Sequence, residues 1–172
     1  MSKRQRKALQ GKKVKKSSPI RAALTSSSPL HAHVKNGLGA LEKRDRKYVD
    51  VSVRADFGDS LEIDANIKEL PASDSSISQQ NRWDYLLGHS ATGDLIALEP
   101  HSANTGEVSV VIKKKMMALH QLRAHFPNGI VPIKKWFWVA SGPVNIVPLS
   151  KKKQLLYQNG IVLVGRLLKK HL

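Results

Sequence analysis

The chain has 172 residues, with 29 Lys and Arg against 13 Asp and Glu, giving a formal net charge of +16. That length supports one ordinary hydrophobic core, and the absence of cysteine excludes a disulfide framework and a thiolate zinc site. No apolar run is long enough to span a membrane and the start lacks the apolar segment of a secretory signal. A soluble, cytoplasmic protein with no membrane partner is therefore expected.

The charge is uneven. Residues 1–47 hold 14 Lys or Arg against Glu42 and Asp45, whereas residues 48–172 hold 15 against 11 acids. The first segment opens with Lys3, Arg4, Arg6 and Lys7, continues with Lys12, Lys13, Lys15 and Lys16, and contains two Ser-Pro steps and Ser26–Ser28. Such a composition buries too little apolar surface to offset its ordering entropy. Residues 1–47 are thus expected to form a flexible, disordered basic arm, with at most a short helix near Ile20–Leu24. The eight cations suit nucleic-acid phosphates, because counterion release gives salt-dependent, sequence-blind affinity. A solubilising tail or a localisation signal has the same composition. No acid precedes Glu42, as in a transit peptide, but the Lys clusters and weak apolar periodicity weigh against one. His31 and His33 fall in the arm and carry no separate role.

A single α/β domain, residues 48–172, is expected to follow. Val49, Val51 and Val53 alternate with Asp50, Ser52 and Arg54 as in a strand. Leu61, Ile63, Ala65 and Ile67 also fit a strand, while Ile63, Ile67 and Leu70 fit a helix begun by Asp59 or Ser60; the strand is favoured. Pro71–Ser76 reads as a loop.

Residues 82–101 form a hairpin pattern. A turn at Ala91-Thr92 or Thr92-Gly93 places Asp84 opposite Glu99 or one pair away on the same face, to which His101 returns. Trp83, Tyr85, Leu87, Ile96 and Leu98 take the other face, which is expected to be the core packed under helices. Opposed like charges destabilise a sheet by up to about 1 kcal/mol, so a cation is needed between them, and a divalent metal is the natural candidate. The plainer alternatives are strand charges on a solvated face, or a loop that sends the two acids to opposite faces.

Asn104 and Glu107 then have capping-box spacing, and Val108, Val111, Ile112, Leu119, Leu122 and Phe126 form one helical stripe that Pro127-Asn-Gly ends. The opposite side carries Lys113, Lys114, His120, Gln121 and Arg123. His120 and His125 are five apart, so they do not share a face as zinc ligands would, and solvated roles are favoured. Lys135–Ala140 is apolar at nearly every position, as in a central strand, and the intervening helix makes it parallel to the strand before it. Trp136 and Trp138 accordingly read as core rather than as base-stacking platforms. Ser150 caps a short helix through Tyr157 that ends at Asn159-Gly160, and Ile161–Leu167 reads as a last strand. The Lys113–Lys115 and Lys151–Lys153 runs either track a phosphate backbone or line solvated helix faces. Gly88, Gly93 and Gly106 are scattered turn formers, so no phosphate-cradling loop is present, and no nucleophile elbow occurs.

From Asp84 the order is strand, strand, helix, strand, with acids on the first two strands and cations on the helix. In this the chain resembles the restriction-endonuclease-like superfamily, named for its PD-(D/E)XK motif. There an Asp on one strand and a Glu or Asp on the next hold magnesium, and a Lys follows two residues after the second acid. Asp84, 14 intervening residues and Glu99 match the spacing, but the third position is His101. The likeness covers about residues 60–140. It implies a mixed sheet flanked by helices in a restriction-endonuclease-like core, and phosphodiester hydrolysis of DNA or RNA. It further implies Mg²⁺, or Mn²⁺ in its place, on Asp84 and Glu99, with His101, Lys113 or Lys114 supplying positive charge; a metal-binding but inactive relative is a further alternative. Glu62 or Glu69 could add an outer ligand, although both read more simply as surface charges. The competing reading is a non-catalytic nucleic-acid-binding or ribonucleoprotein subunit whose arm threads along phosphate. Either module is suited to work inside a larger protein complex.

Overall fold

Six strands form one mixed sheet in the computed structural model, which describes residues 16–66 and 82–169. They are β1 Lys35–Asn36, β2 Phe57–Glu62, β3 Tyr85–His89, β4 Leu95–Ala103, β5 Ile133–Val144 and β6 Ile161–Leu163, and they lie side by side in chain order. Strands β1 to β4 are antiparallel neighbours, while β5 runs parallel to β4 and β6 parallel to β5. Four α-helices accompany the sheet among the described residues: α1 Pro19–Ala23, α2 Ile63–Asn66, α3 Glu107–Leu122 and α4 Lys151–Gln158. The architecture is mixed α/β, and no described helix is long and apolar enough to cross a membrane.

The β3–β4 hairpin has the register expected of it. Tyr85 pairs with Leu98, Leu86 with Ala97, Leu87 with Ile96 and Gly88 with Leu95, so the next position outward sets Asp84 against Glu99. Gly93 closes the turn at φ 75, a left-handed conformation that suits glycine. Tyr85, Leu87, Ile96 and Leu98 pack with Phe137, Val139, Leu41, Val53 and Leu168 on one face. The other face is equally buried: Leu86, Leu95, Ala97, Trp136 and Trp138 meet Val108, Val111, Ala118 and Leu122 of α3. The acidic face therefore lies beneath the long helix, whereas the sequence suggested helices over the opposite one. Trp83 belongs to the α3 side as well, stacking edge-to-face on Trp136 at 4.9 Å. It precedes the first paired residue of β3, so strand alternation does not govern it.

Residues 17–47 belong to the folded domain, which corrects the expected extent of the arm. Ile20, Leu24, Leu30, Val34 and Leu41 are all buried, and each such side chain contributes about 1.5–3 kcal/mol. The fully buried Asp59 carboxylate accepts the backbone N–H groups of Ile20 at 3.2 Å and Arg21 at 3.1 Å, seating α1 on β2. Glycines permit that close approach. A Cβ on Gly58 would lie 1.9 Å from the Ser17 carbonyl oxygen, and one on Gly88 would lie 2.1 Å from Asp59 Oδ1. Gly88 is thus a packing position rather than a turn former.

Two further local differences have clear causes. Val51–Asp56 is a 3₁₀ helix instead of a strand, because Asp50 Oδ1 accepts the Ser52 N–H at 3.0 Å and caps a helical turn. The strand read from Leu61 onward ends at Glu62, where the chain turns into α2. Ser150 caps α4 as expected, accepting the Lys153 N–H at 3.2 Å, and Gly160 ends it at φ 63. The last strand stops at Leu163, short of Leu167.

Candidate functional site

Glu99 is the centre of the arrangement. It sits in the middle of β4, wholly buried, and its Oε2 accepts the backbone N–H of Asp84 at 2.9 Å. Its Oε1 accepts a short hydrogen bond from Lys114 Nζ, which also stands 3.7 Å from Asp84 Oδ1. The two acids and the ammonium come from the residue just before β3, from β4 and from α3. Lys114 reaches them because it follows Val111 by three residues and precedes Ala118 by four, both of which are fully buried. It therefore lies on the core stripe of α3, not on the outer side where its neighbour Lys113 is exposed. Lys113 is not part of the site.

His101 joins from the same face of β4. Its Nδ1 is 3.7 Å from Glu99 Oε1, and its Nε2 is 2.8 Å from Glu107 Oε2. The carbonyl of His101 accepts the indole N–H of Trp138 at 3.2 Å, which fixes the backbone beneath the ring. Pro100, between Glu99 and His101, costs no ladder bond to β3, since that pairing ends at Leu98. Glu107 does not form the capping box expected of it: its backbone N–H bonds the Asn104 carbonyl, and its carboxylate turns to His101 instead.

Electrostatics follow from this burial. Removal from water pushes the Glu99 carboxyl up to about 8; the Asp84 charge adds to the rise, and Lys114 and the Asp84 N–H oppose it. Burial also raises Asp84, with Lys114 opposing and Asp64 assisting. For Lys114, burial alone favours the neutral amine, but the Glu99 and Asp84 carboxylates outweigh it and hold its pKa above the ordinary value. Asp64, which sequence reasoning overlooked in favour of Glu62 and Glu69, approaches because Ile63 N–H bonds the Asp84 carbonyl at 2.7 Å and draws α2 to this end of β3. Glu62 pairs with Tyr85, whose side chain lies in the opposite core, and Glu69 lies outside the described residues.

Hard carboxylate oxygens at Asp84 and Glu99 have the donor chemistry of a Mg²⁺ site. Among the described residues no group of three or more His, Asp or Glu could by itself hold a metal ion, so water and a substrate phosphate would have to complete the coordination shell. Of the eight cations expected to meet phosphate, Lys3, Arg4, Arg6, Lys7, Lys12, Lys13 and Lys15 lie outside the described residues. Lys16 bonds the Ala55 carbonyl. Trp136 and Trp138 are core, as read from sequence. His125, expected in solvent, is buried with Ser28 Oγ 2.8 Å from its Nδ1. Comparison with family models, curated proteins and solved structures finds no match to the chain.

Proposed function

We propose that the chain is a metal-dependent nuclease or nuclease-like protein of restriction-endonuclease-like type, with Asp84 and Glu99 holding Mg²⁺ or Mn²⁺. One observation carries this reading: a lysine from the helix after the second acid strand meets both carboxylates. The motif takes its positive charge from a lysine two residues beyond the second acid, and here His101 stands at that position. Lys114 supplies the ammonium from α3 instead. When bound, the metal would polarise a phosphoryl oxygen and lower the pKa of an attacking water. Lys114 would offset charge developing on the phosphoryl group, and His101, steadied by Glu107, would orient water beside it. The partly exposed Asp84 carboxylate forms the entrance, and the basic N-terminal residues add sequence-blind affinity for phosphate.

A second reading has its own support. Both Glu99 oxygens are already hydrogen-bonded, by Lys114 and by the Asp84 N–H, so the cluster can stand without a metal in a non-catalytic nucleic-acid-binding subunit. Incubating the protein with DNA and with RNA, in Mg²⁺ or in EDTA, separates the two. Cleavage that needs the metal and falls about a hundredfold or more in Asp84→Ala and Glu99→Ala supports the nuclease. Cleavage surviving both substitutions would exclude this site, and nucleic-acid binding without cleavage would favour the second reading.

A further inference from the structure

Charge divides sharply along the folded chain. Residues 48–107 hold three Lys or Arg against eleven acids, whereas residues 108–172 hold ten Lys and two Arg and no Asp or Glu. The acid-free part builds α3 beyond Glu107, β5, α4 and β6, and so one whole edge of the sheet. At that edge large apolar side chains stand in water: Leu149 is 90 % exposed, Tyr157 85 %, Val147 65 % and Val162 44 %. Leu149 is held at φ 63, a conformation that leucine rarely adopts, without gaining burial in return. A cleft of about 480 Å³ runs between Leu149, Lys153, Tyr157, Val162 and Leu163. Beside it, among the described residues, no strand pairs the outer edge of β6.

We propose that this face docks an extended acidic segment of a partner protein, which adds to the sheet as a strand along β6. An open edge offers main-chain hydrogen bonds, and an extended segment presents every second side chain to one face. Aliphatic side chains at those positions fill the cleft, and an acidic side chain flanking them on the same face meets Lys153, which lines it. The lining favours a protein over nucleic acid. Stacking platforms for bases use successive aromatic rings, whereas here Tyr157 stands alone among Leu149, Val162 and Leu163. The face is two strands from Glu99, and the proposal does not rest on the reading of the acid pair.

The test uses the full chain and three labelled probes: a short peptide alternating Glu with Val, its counterpart alternating Lys with Val, and single-stranded oligothymidylate. The Glu peptide should bind saturably, weaken with salt, and slow hydrogen exchange of the β6 amides, while the Lys peptide should not bind. Leu149→Glu combined with Tyr157→Glu, both at exposed positions, should weaken binding by at least about tenfold with an unchanged circular dichroism spectrum. Lys153→Glu should weaken it independently. The proposal is overturned if the Glu peptide fails to bind, if the double substitution leaves its affinity unchanged, or if oligothymidylate displaces it from this face. Self-association of the chain that the double substitution abolishes would equally overturn it, since the occupant would then be a second copy.

Discussion

At the scale of single residues, the site is a balance between one buried acid and one buried cation. Burial pushes the Glu99 carboxyl up to about 8 in the folded chain, against an ordinary value of 4.5. The native state therefore binds more protons than the unfolded state between those values, and stability falls as pH rises from about 4.5 to about 8. Asp84, also raised by burial, adds to the same slope. Thermal denaturation without divalent ions should show this decline in the wild type and a flatter profile in Glu99→Gln. Lys114→Met should destabilise by an amount that grows with pH. Where Glu99 is ionised, the loss of its buried partner approaches the roughly 3–5 kcal/mol of a broken buried ion pair; below that, Glu99 accepts a proton and the cost shrinks. A penalty independent of pH would mean that Lys114 matters only through packing.

At the scale of elements, the hairpin is the most legible part of the chain. Its period-two alternation and the turn residues Ala91–Gly93 leave two registers that keep Asp84 and Glu99 on one face, and the structure adopts the one centred on Ala91-Thr92. The α3 stripe and the parallel β5 are legible for the same reason, because the pattern is local. What could not be read depends on partners distant in sequence. Ile20, Leu24 and Leu30 sit in a Ser- and Pro-rich stretch, and their burial depends on distant core residues and, for α1, on its seating by Asp59 some forty residues away. The sequence leaves Lys113 and Lys114 as alternatives, yet a polar residue interrupting the Val111–Ala118 stripe is itself a signal that Lys114 faces inward. Two variants probe this level. Leu30→Ala should cost about 2–5 kcal/mol in chemical denaturation, as a core position does and a flexible arm position does not. Gly88→Ala should also destabilise, because its methyl meets Asp59 and Pro19; unchanged stability in either variant would detach α1 and its loop from the core.

At the scale of the whole molecule, the chain combines a buried acid–lysine cluster with a strongly basic sequence at both ends. The described contacts that seat α1 are made by residues from Ser17 onward, so the protein without residues 1–15 should fold. It should also bind nucleic acid with a shallower salt dependence, the slope of log K against log salt falling by about 0.9 for each duplex phosphate that the removed cations neutralise. An unchanged slope would assign phosphate binding to other residues. Removing residues 1–47, in contrast, takes away Ile20, Leu24, Leu30 and Val34 and should leave no stable domain.

The central claim is that Asp84 and Glu99 together bind a divalent cation, and the most direct measurement is a Mn²⁺ titration followed by electron paramagnetic resonance. The account predicts saturable binding that tightens as pH rises toward and past about 8, because the metal competes with the Glu99 proton, and that is lost in Asp84→Asn and in Glu99→Gln. Absence of binding to the wild type, or binding that both substitutions leave unchanged, would contradict it.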